Sequence, residues 1–328
     1  MKILLYGDWR LNAGPYNVNR SIIQHSDQSL LYIKSSNKLL RRIESFFKIL
    51  EADIILFSCG GRYNIYKFAK KLGKKIIILK HGDSRYENEI NNLQTSEALL
   101  NEDQKEMDIA DELVCVSKVY SEWFAKHYPQ YFNKITWVNN GVTISPRPQV
   151  KKDGHLIALG GGNRSIKNNL NVLRAIEKLN ERGANLKVLL FGRHYEGNPP
   201  LTSFSFVEFM GQMNKSEYYA KLDKTALYVD AAYCESFGLS VADAVNCNCS
   251  LLLSDNVGFL SIVRYQDCDV VHNCNDIEEI ASKIEYLLSD PNARRLQSSI
   301  DESTCSKDYA YQRLKKICVG LLNNKIVK

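Results

Sequence analysis

The stretch between residues 226 and 245 limits the fold more than any other. Ala226-Leu-Tyr-Val229 reads as a short buried strand, residues 240–245 read as the start of a helix, and Glu235-Ser-Phe-Gly238 is the loop that joins them. A strand that runs through a tight loop into a helix is the repeating unit of open α/β sheets. In such sheets the carboxyl ends of the strands face the ligand crevice, and a helix N-terminus offers unpaired N–H groups to an anion. Glycine at 238 lets the backbone come close to that anion. Glu235 and Asp243, eight residues apart, can hold two hydroxyl-bearing parts of one ligand with a phosphate between them.

The same alternation runs along the chain. Residues 2–6, 53–57, 75–79, 112–117 and 135–138 read as strands, with helices over 63–72 and 119–128. Pro146, Pro148 and the charged Lys151-Lys-Asp-Gly154 then mark a boundary. Strands resume at 155–159, 186–191, 207–210 and 250–253, and helices are expected over 170–180, 217–222, 277–288 and 309–323. At 328 residues and 45% hydrophobic, the chain can give each half its own core.

Other features exclude whole classes. No apolar run reaches the roughly 18 residues of a membrane span. Met1-Lys-Ile-Leu-Leu-Tyr-Gly-Asp8 reads as a strand entering a polar loop rather than a secretion signal, so a cytoplasmic protein is expected. Nine cysteines are odd in number and scattered, which favours reduced thiols, and Cys247-Asn-Cys249 lacks the spacing of a zinc knuckle, so no metal site is expected. The net charge of +6 is spread out; it suits an anionic nucleotide or an anionic membrane surface and is too weak to argue for nucleic acid, so no nucleic-acid partner is expected. Within residues 36–50, Leu39, Leu40, Ile43, Phe46, Phe47 and Leu50 share one helical face, with Lys38, Arg41, Arg42 and Lys48 off it. Such a stripe is expected to pack on the sheet; the alternative is that it rests on a bilayer or a lipid-linked acceptor, a peripheral contact with the inner membrane surface.

Three loops carry further candidates. Gly7 to Arg20 contains Gly14 and leads into a helix, which a plain turn would explain. Lys80-His81-Gly82 ends a buried strand, where a histidine is either a structural hydrogen-bonding group or a site residue. Gly160-Gly161-Gly162-Asn-Arg164-Ser-Ile-Lys167 is a phosphate cradle: amides converge and cations neutralise. It lacks G-x-G-x-x-G spacing, which disfavours a dinucleotide site.

Glu235-Ser-Phe-Gly-Leu-Ser-Val-Ala-Asp243 resembles the E-x7-E motif of retaining glycosyltransferases of family 4, with Asp243 one methylene shorter than the usual Glu. The resemblance implies an α/β fold of two Rossmann-like domains facing a central cleft, the B-type glycosyltransferase fold. The domains expected are 1–148 for the acceptor, 149–305 for the nucleotide sugar, and a final helix, 306–328, crossing back to the first. It implies that Glu235 reaches the donor sugar, that backbone amides of Ser236, Phe237, Gly238 and Leu239 meet the diphosphate, and that Asp243 holds the ribose. Lys167 and Arg164 would neutralise the leaving group beside Gly161 and Gly162; the family usually has an Arg where Gly162 stands. Gly211 and Met213 fall where the family meets the nucleobase, while Gly14 would line the cleft and His81 would border the reacting sugar. The reaction implied moves a sugar from a nucleoside diphosphate, UDP ahead of GDP, to a hydroxyl of a glycan or lipid-linked acceptor, with retained configuration and no metal or other cofactor. Bacterial surface polysaccharide is the setting it suggests. The alternatives are a degenerate sugar-nucleotide-binding subunit, or an epimerase or hydrolase on the same fold. Glu235→Ala and Lys167→Ala are both expected to abolish most turnover in protein that stays folded.

Overall fold

The computed structural model describes residues 1–11, 14–59, 62–91, 95–196, 198 and 200–323, so Asn12 and Ala13 of the first glycine-bearing loop lie outside the described residues. The chain divides into two compact units: Met1–Arg85, Thr95–Val142 and Ser303–Lys328 form the first, and Tyr86–Gln94 with Thr143–Glu302 form the second.

The first unit is built on β1 (Ile3–Tyr6), β2 (Leu30–Tyr32), β3 (Ile54–Phe57), β4 (Lys75–Lys80), β5 (Glu112–Cys115) and β6 (Ile135–Trp137). All pair in parallel, in the order β2-β1-β3-β4-β5-β6. Ile54-Ile-Leu-Phe57 and Ile76-Ile-Ile-Leu79 show why: neither alternates with polar residues, both are buried, and only a sheet covered on both faces accepts such strands. Between the strands, in chain order, run α1 (Gly14–Gln24), α2 (Lys38–Glu51), α3 (Tyr63–Lys71), α4 (Ser84–Ile90), whose residues from Tyr86 on belong to the second unit, α5 (Glu97–Ile109) and α6 (Lys118–His127).

The second unit repeats the plan with β7 (Asp153–Leu159), β8 (Lys187–Phe191), β9 (Val207–Gly211), β10 (Thr225–Asp230), β11 (Ser250–Ser254) and β12 (Val270–Val271). The order is β12-β11-β10-β7-β8-β9, again all parallel. Its helices are α7 (Asn169–Glu181), α8 (Lys215–Leu222), α9 (Leu239–Asn246) and α10 (Ile277–Ser289). Val172 and Ile176 of α7 and Ile280 and Ile284 of α10 meet Ile157, Leu190 and Val229 of the sheet in one buried cluster. The chain steps outward from β7 to β9 and then returns to the other side of β7 as β10. That reversal leaves a crevice at the carboxyl ends of β7 and β10. The first unit reverses in the same way at β1 and β3.

The closing helix (Lys307–Leu322) belongs to the first unit, where Tyr311, Leu314, Ile317 and Cys318 are buried. Its exposed edge is tied down by polar contacts. Asp308 meets His25 at 2.9 Å, while Lys315 and the Tyr311 hydroxyl donate to the two oxygens of Asp27 at 2.5 and 3.0 Å.

One expectation fails. The apolar stripe of α2 does not pack on the sheet: Leu39, Leu40, Ile43, Phe46, Phe47 and Leu50 are all exposed, Leu39 by 65% and Phe47 by 62%, and the residues turned inward are Ser45 and Ile49. The physical reason lies on the inner face, where Ser45 Oγ donates to Arg41 O at 2.8 Å and Glu44 accepts the amides of Lys34 and Ser35 at 2.9 and 2.8 Å. Asn37 caps the helix by accepting from Leu39 N at 2.9 Å. The helix is anchored by polar bonds and presents its apolar side outward. The nine cysteines are free, and among the described residues no helix is long and apolar enough to cross a membrane.

Candidate active site

In the second unit, the two loops that the sequence singles out leave β7 and β10 side by side at the reversal of the sheet. Gly160 to Gly162 follows β7. Gly161 and Gly162 have φ of +85° and +64°, and a Cβ at Gly162 would stand 1.9 Å from the Arg193 carbonyl, so no side chain fits where the family carries its Arg. Asn169 at the start of α7 donates to the carbonyls of Gly160 and Gly162 at 3.0 and 2.7 Å and fixes the loop. A short turn, Ser165–Lys167, then delivers Lys167, and the Tyr233 amide donates to Ile166 O at 2.9 Å, which ties this loop to the one after β10.

Lys167 Nζ lies 2.8 Å from Asp230 Oδ2 and 2.6 Å from Glu235 Oε2. The Lys167 side chain is 5% exposed and that of Glu235 21%. Burial works against the ammonium, but the two carboxylates outweigh it and hold Lys167 above its ordinary value. Burial lifts Asp230 above the usual carboxylate range; in Glu235 the same effect is overcome by Lys167, and the group stays ionised. Asp230 Oδ1 has no hydrogen-bond partner among the described residues. Asp230 was not among the sequence candidates. Its signal was present, a carboxylate ending the apolar strand that leads into the acidic motif.

The expectation that Lys167→Ala leaves a folded protein does not suit this geometry, because removing the ammonium leaves the buried Asp230 beside the half-buried Glu235 without a counter-charge. Arg164 is half-buried. Its Nε donates to Gly161 O at 3.4 Å and its guanidinium lies 4.0 Å from Glu87.

Glu235 is also held by its backbone: Gly258 N donates to its carbonyl at 2.8 Å and its own amide donates to Asn256 O at 3.1 Å. Its Oε1 accepts from Gly238 N at 3.1 Å and from Phe237 N at 3.5 Å. Gly238, with φ of +93°, caps α9. A carboxylate therefore already occupies the amides at the start of α9, the place where an anion is expected. The Phe237 ring is not turned to a ligand; it is buried, edge-on to Phe259 at 6.0 Å, so only its amide serves the site. Ser236 and Leu239 are half-buried beside it.

Asp243, in the second turn of α9, accepts from the Tyr219 hydroxyl at 2.6 Å through Oδ1, and burial raises it. Arg147 lies over the Tyr219 ring at 4.9 Å and grips Asp223 with two N–H groups, each at 2.9 Å. This Tyr219 support was not visible in the motif. Gly211 has φ of +64° and accepts from Gly192 N at 3.0 Å, and Met213 is half-buried two residues on.

His81 and Gly14 lie in the first unit. Ser58 gives its only hydroxyl proton to Asn19 Oδ1 at 2.6 Å, so the 2.9 Å contact with His81 Nε2 must be an N–H donated by the ring. Burial, helped by the Lys80 charge, drives His81 down to about 3, which keeps it neutral at physiological pH. Gly14 opens α1, and a Cβ there would meet nothing within 4 Å, so the backbone does not require a glycine. The structure thus brings Lys167, Glu235, Gly161, Gly162 and the amides after Glu235 together, with Asp230 added.

Residues 144–302 match the model of the family described as glycosyl transferases group 1. No curated protein matches the sequence. Among solved structures, Anabaena HepE in complex with UDP and glucose superposes with a TM-score of 0.68 at 12% identity, covering 98% of this chain and 100% of its own. Sucrose-phosphate synthase from Thermosynechococcus elongatus gives a TM-score of 0.67 at 14% identity, over 99% and 100%. The pneumococcal O-GlcNAc transferase GtfA, with UDP and GlcNAc, gives 0.61 at 14% over 85% of this chain and 60% of its own. The chain has the B-type glycosyltransferase fold of two parallel six-stranded sheets, and its residues 144–302 carry the pattern of glycosyl transferases group 1.

Proposed function

We propose that the protein is a retaining glycosyltransferase of the family 4 kind, which moves a sugar from a UDP-sugar to a hydroxyl of a glycan or lipid-linked acceptor without a metal. Cytosolic assembly of a bacterial surface polysaccharide is the setting this reading implies. The observation that carries it is the carboxylate of Glu235, suspended between Lys167 Nζ and the amides of Phe237 and Gly238 at the reversal of the sheet. An arriving diphosphate would compete for those amides and release Glu235 towards the sugar hydroxyls. Lys167 spends two of its three N–H bonds on Asp230 and Glu235, and the third is the one a phosphate oxygen would take.

In this reading the bond between the anomeric carbon and the diphosphate breaks as the acceptor oxygen attacks the same face. The acceptor proton passes to the departing phosphate oxygen. Amides and cations that stabilise charge growing on that leaving group supply the rate. Relatives solved with UDP, UDP-glucose or UDP with GlcNAc support uridine as the base.

The test is turnover with UDP-glucose and UDP-GlcNAc across an acceptor panel, with Glu235→Ala beside the wild type. The variant is expected to lose about a hundredfold or more in kcat, the scale of one such charged contact. Equal kinetics would refute the assignment. A binding subunit without turnover is the second reading, favoured by Gly162 having no room for the family's Arg; it predicts UDP-sugar binding with no product from any acceptor.

A further inference from the structure

The most unusual surface of the chain is the outward apolar face of α2, and what lies behind that helix narrows what can cover it. A cavity of about 530 Å³ opens in the first unit, lined by Tyr6, Asp8, Lys38, Arg41, Arg42 and Arg62 among others. It stands where β1 and β3 end, at the reversal of the first sheet, the general position of a ligand in this class. Four cations face one carboxylate there. Asp8 is shared between Arg10 at 3.4 Å and Arg41 at 3.2 Å, and among the described residues no carboxylate pairs with Lys38, Arg42 or Arg62. At the far end of the helix Lys74 Nζ donates to Leu50 O at 2.8 Å, which places another cation beside the stripe, while Lys48 is already paired with Glu44 at 2.6 Å.

We propose that this unit takes an anionic amphiphile as acceptor: the stripe from Leu39 to Leu50 enters the surface of an anionic bilayer, and the cavity holds the phosphate-class headgroup of a lipid embedded in it. The inference deepens the function proposed above and rests on it for the word acceptor. Over eleven residue steps the stripe is about 17 Å long, too short to span a bilayer and suited to lying in its plane. A helix lying so keeps its polar side at headgroup level, and the polar side here is the wall of the cavity. A second copy of the chain is a poor occupant. A two-fold contact through α2 would bring Lys38, Arg41 and Arg42 against their own counterparts, whereas an anionic lipid surface brings the opposite charge.

The experiment is co-sedimentation of the full chain with vesicles of phosphatidylcholine alone and with about 30 mol% phosphatidylglycerol added, run beside a thermal shift with UDP-glucose. The expected result is at least about tenfold more protein on the anionic vesicles, abolished by high salt and by Phe46→Ser with Phe47→Ser, with the UDP-glucose shift retained in that variant. Millimolar inorganic pyrophosphate is expected to weaken vesicle binding by filling the cavity, and Arg42→Ala with Arg62→Ala to remove that sensitivity. No binding, or equal binding to both vesicles, overturns the proposal while leaving the transferase reading intact. So does a concentration-dependent dimer that Phe47→Ser dissolves. Pyrophosphate without effect overturns the cavity's part. Vesicle binding with no nucleotide shift would sink the transferase reading, and with it the claim that the lipid is an acceptor.

Discussion

At the scale of single residues, the site is an exercise in charge placement. Lys167→Ala is expected to cost about 3–5 kcal/mol of stability, because it strands the buried Asp230 carboxylate beside a second negative charge; urea unfolding of the variant measures it, and an unchanged midpoint would show that the ion pairs contribute nothing. His81 gives a second expectation. Its folded value of about 3 lies below the 6.5 of a free imidazole, so the unfolded chain takes up the proton first as pH falls. The stability contributed is complete above pH 6.5 and shrinks below it by roughly 1.4 kcal/mol per pH unit. Between pH 7 and 5 the wild type should lose about 2 kcal/mol that His81→Gln, which keeps an N–H towards Ser58, does not lose. Loop position and residue type single out Glu235 and Lys167 in the sequence, and the structure puts the two in contact. Asp230 and Tyr219 were not legible, since nothing in Ala-Leu-Tyr-Val-Asp230 says which strand-ending acid will meet a lysine 63 residues away.

At the scale of elements, strands were the easier reading. Runs such as Ile76-Ile-Ile-Leu79 admit one interpretation, whereas α5 escaped notice because only Leu100 and Met107 of its residues are buried and most of the others are polar or charged. The edge strand β2 is three residues long, too short for any period to show. α2 teaches a different lesson. Helical spacing shows which side chains share a face, but not whether that face looks in or out. The consequence can be measured: Ile49→Ala, at a buried position, should cost about 2–4 kcal/mol, while Phe47→Ala should be close to neutral. Equal losses for the two would mean that the stripe is covered after all.

At the scale of the whole molecule, the two reversals of strand order explain why the chemistry gathers at particular loops, and the closing helix explains why the first unit needs the chain's last described residues. A chain stopped after Glu302 lacks the buried Tyr311, Leu314, Ile317 and Cys318. Limited proteolysis should then cut freely within residues 1–85 and 95–142 while 143–302 resists, and equal resistance of both would show that the helix is dispensable. During synthesis the consequence reaches further. Every residue of the second unit is synthesised before Lys307–Leu322, so the unit whose strands are made first is the later one to close its core, and its apolar surface stays uncovered until that helix emerges.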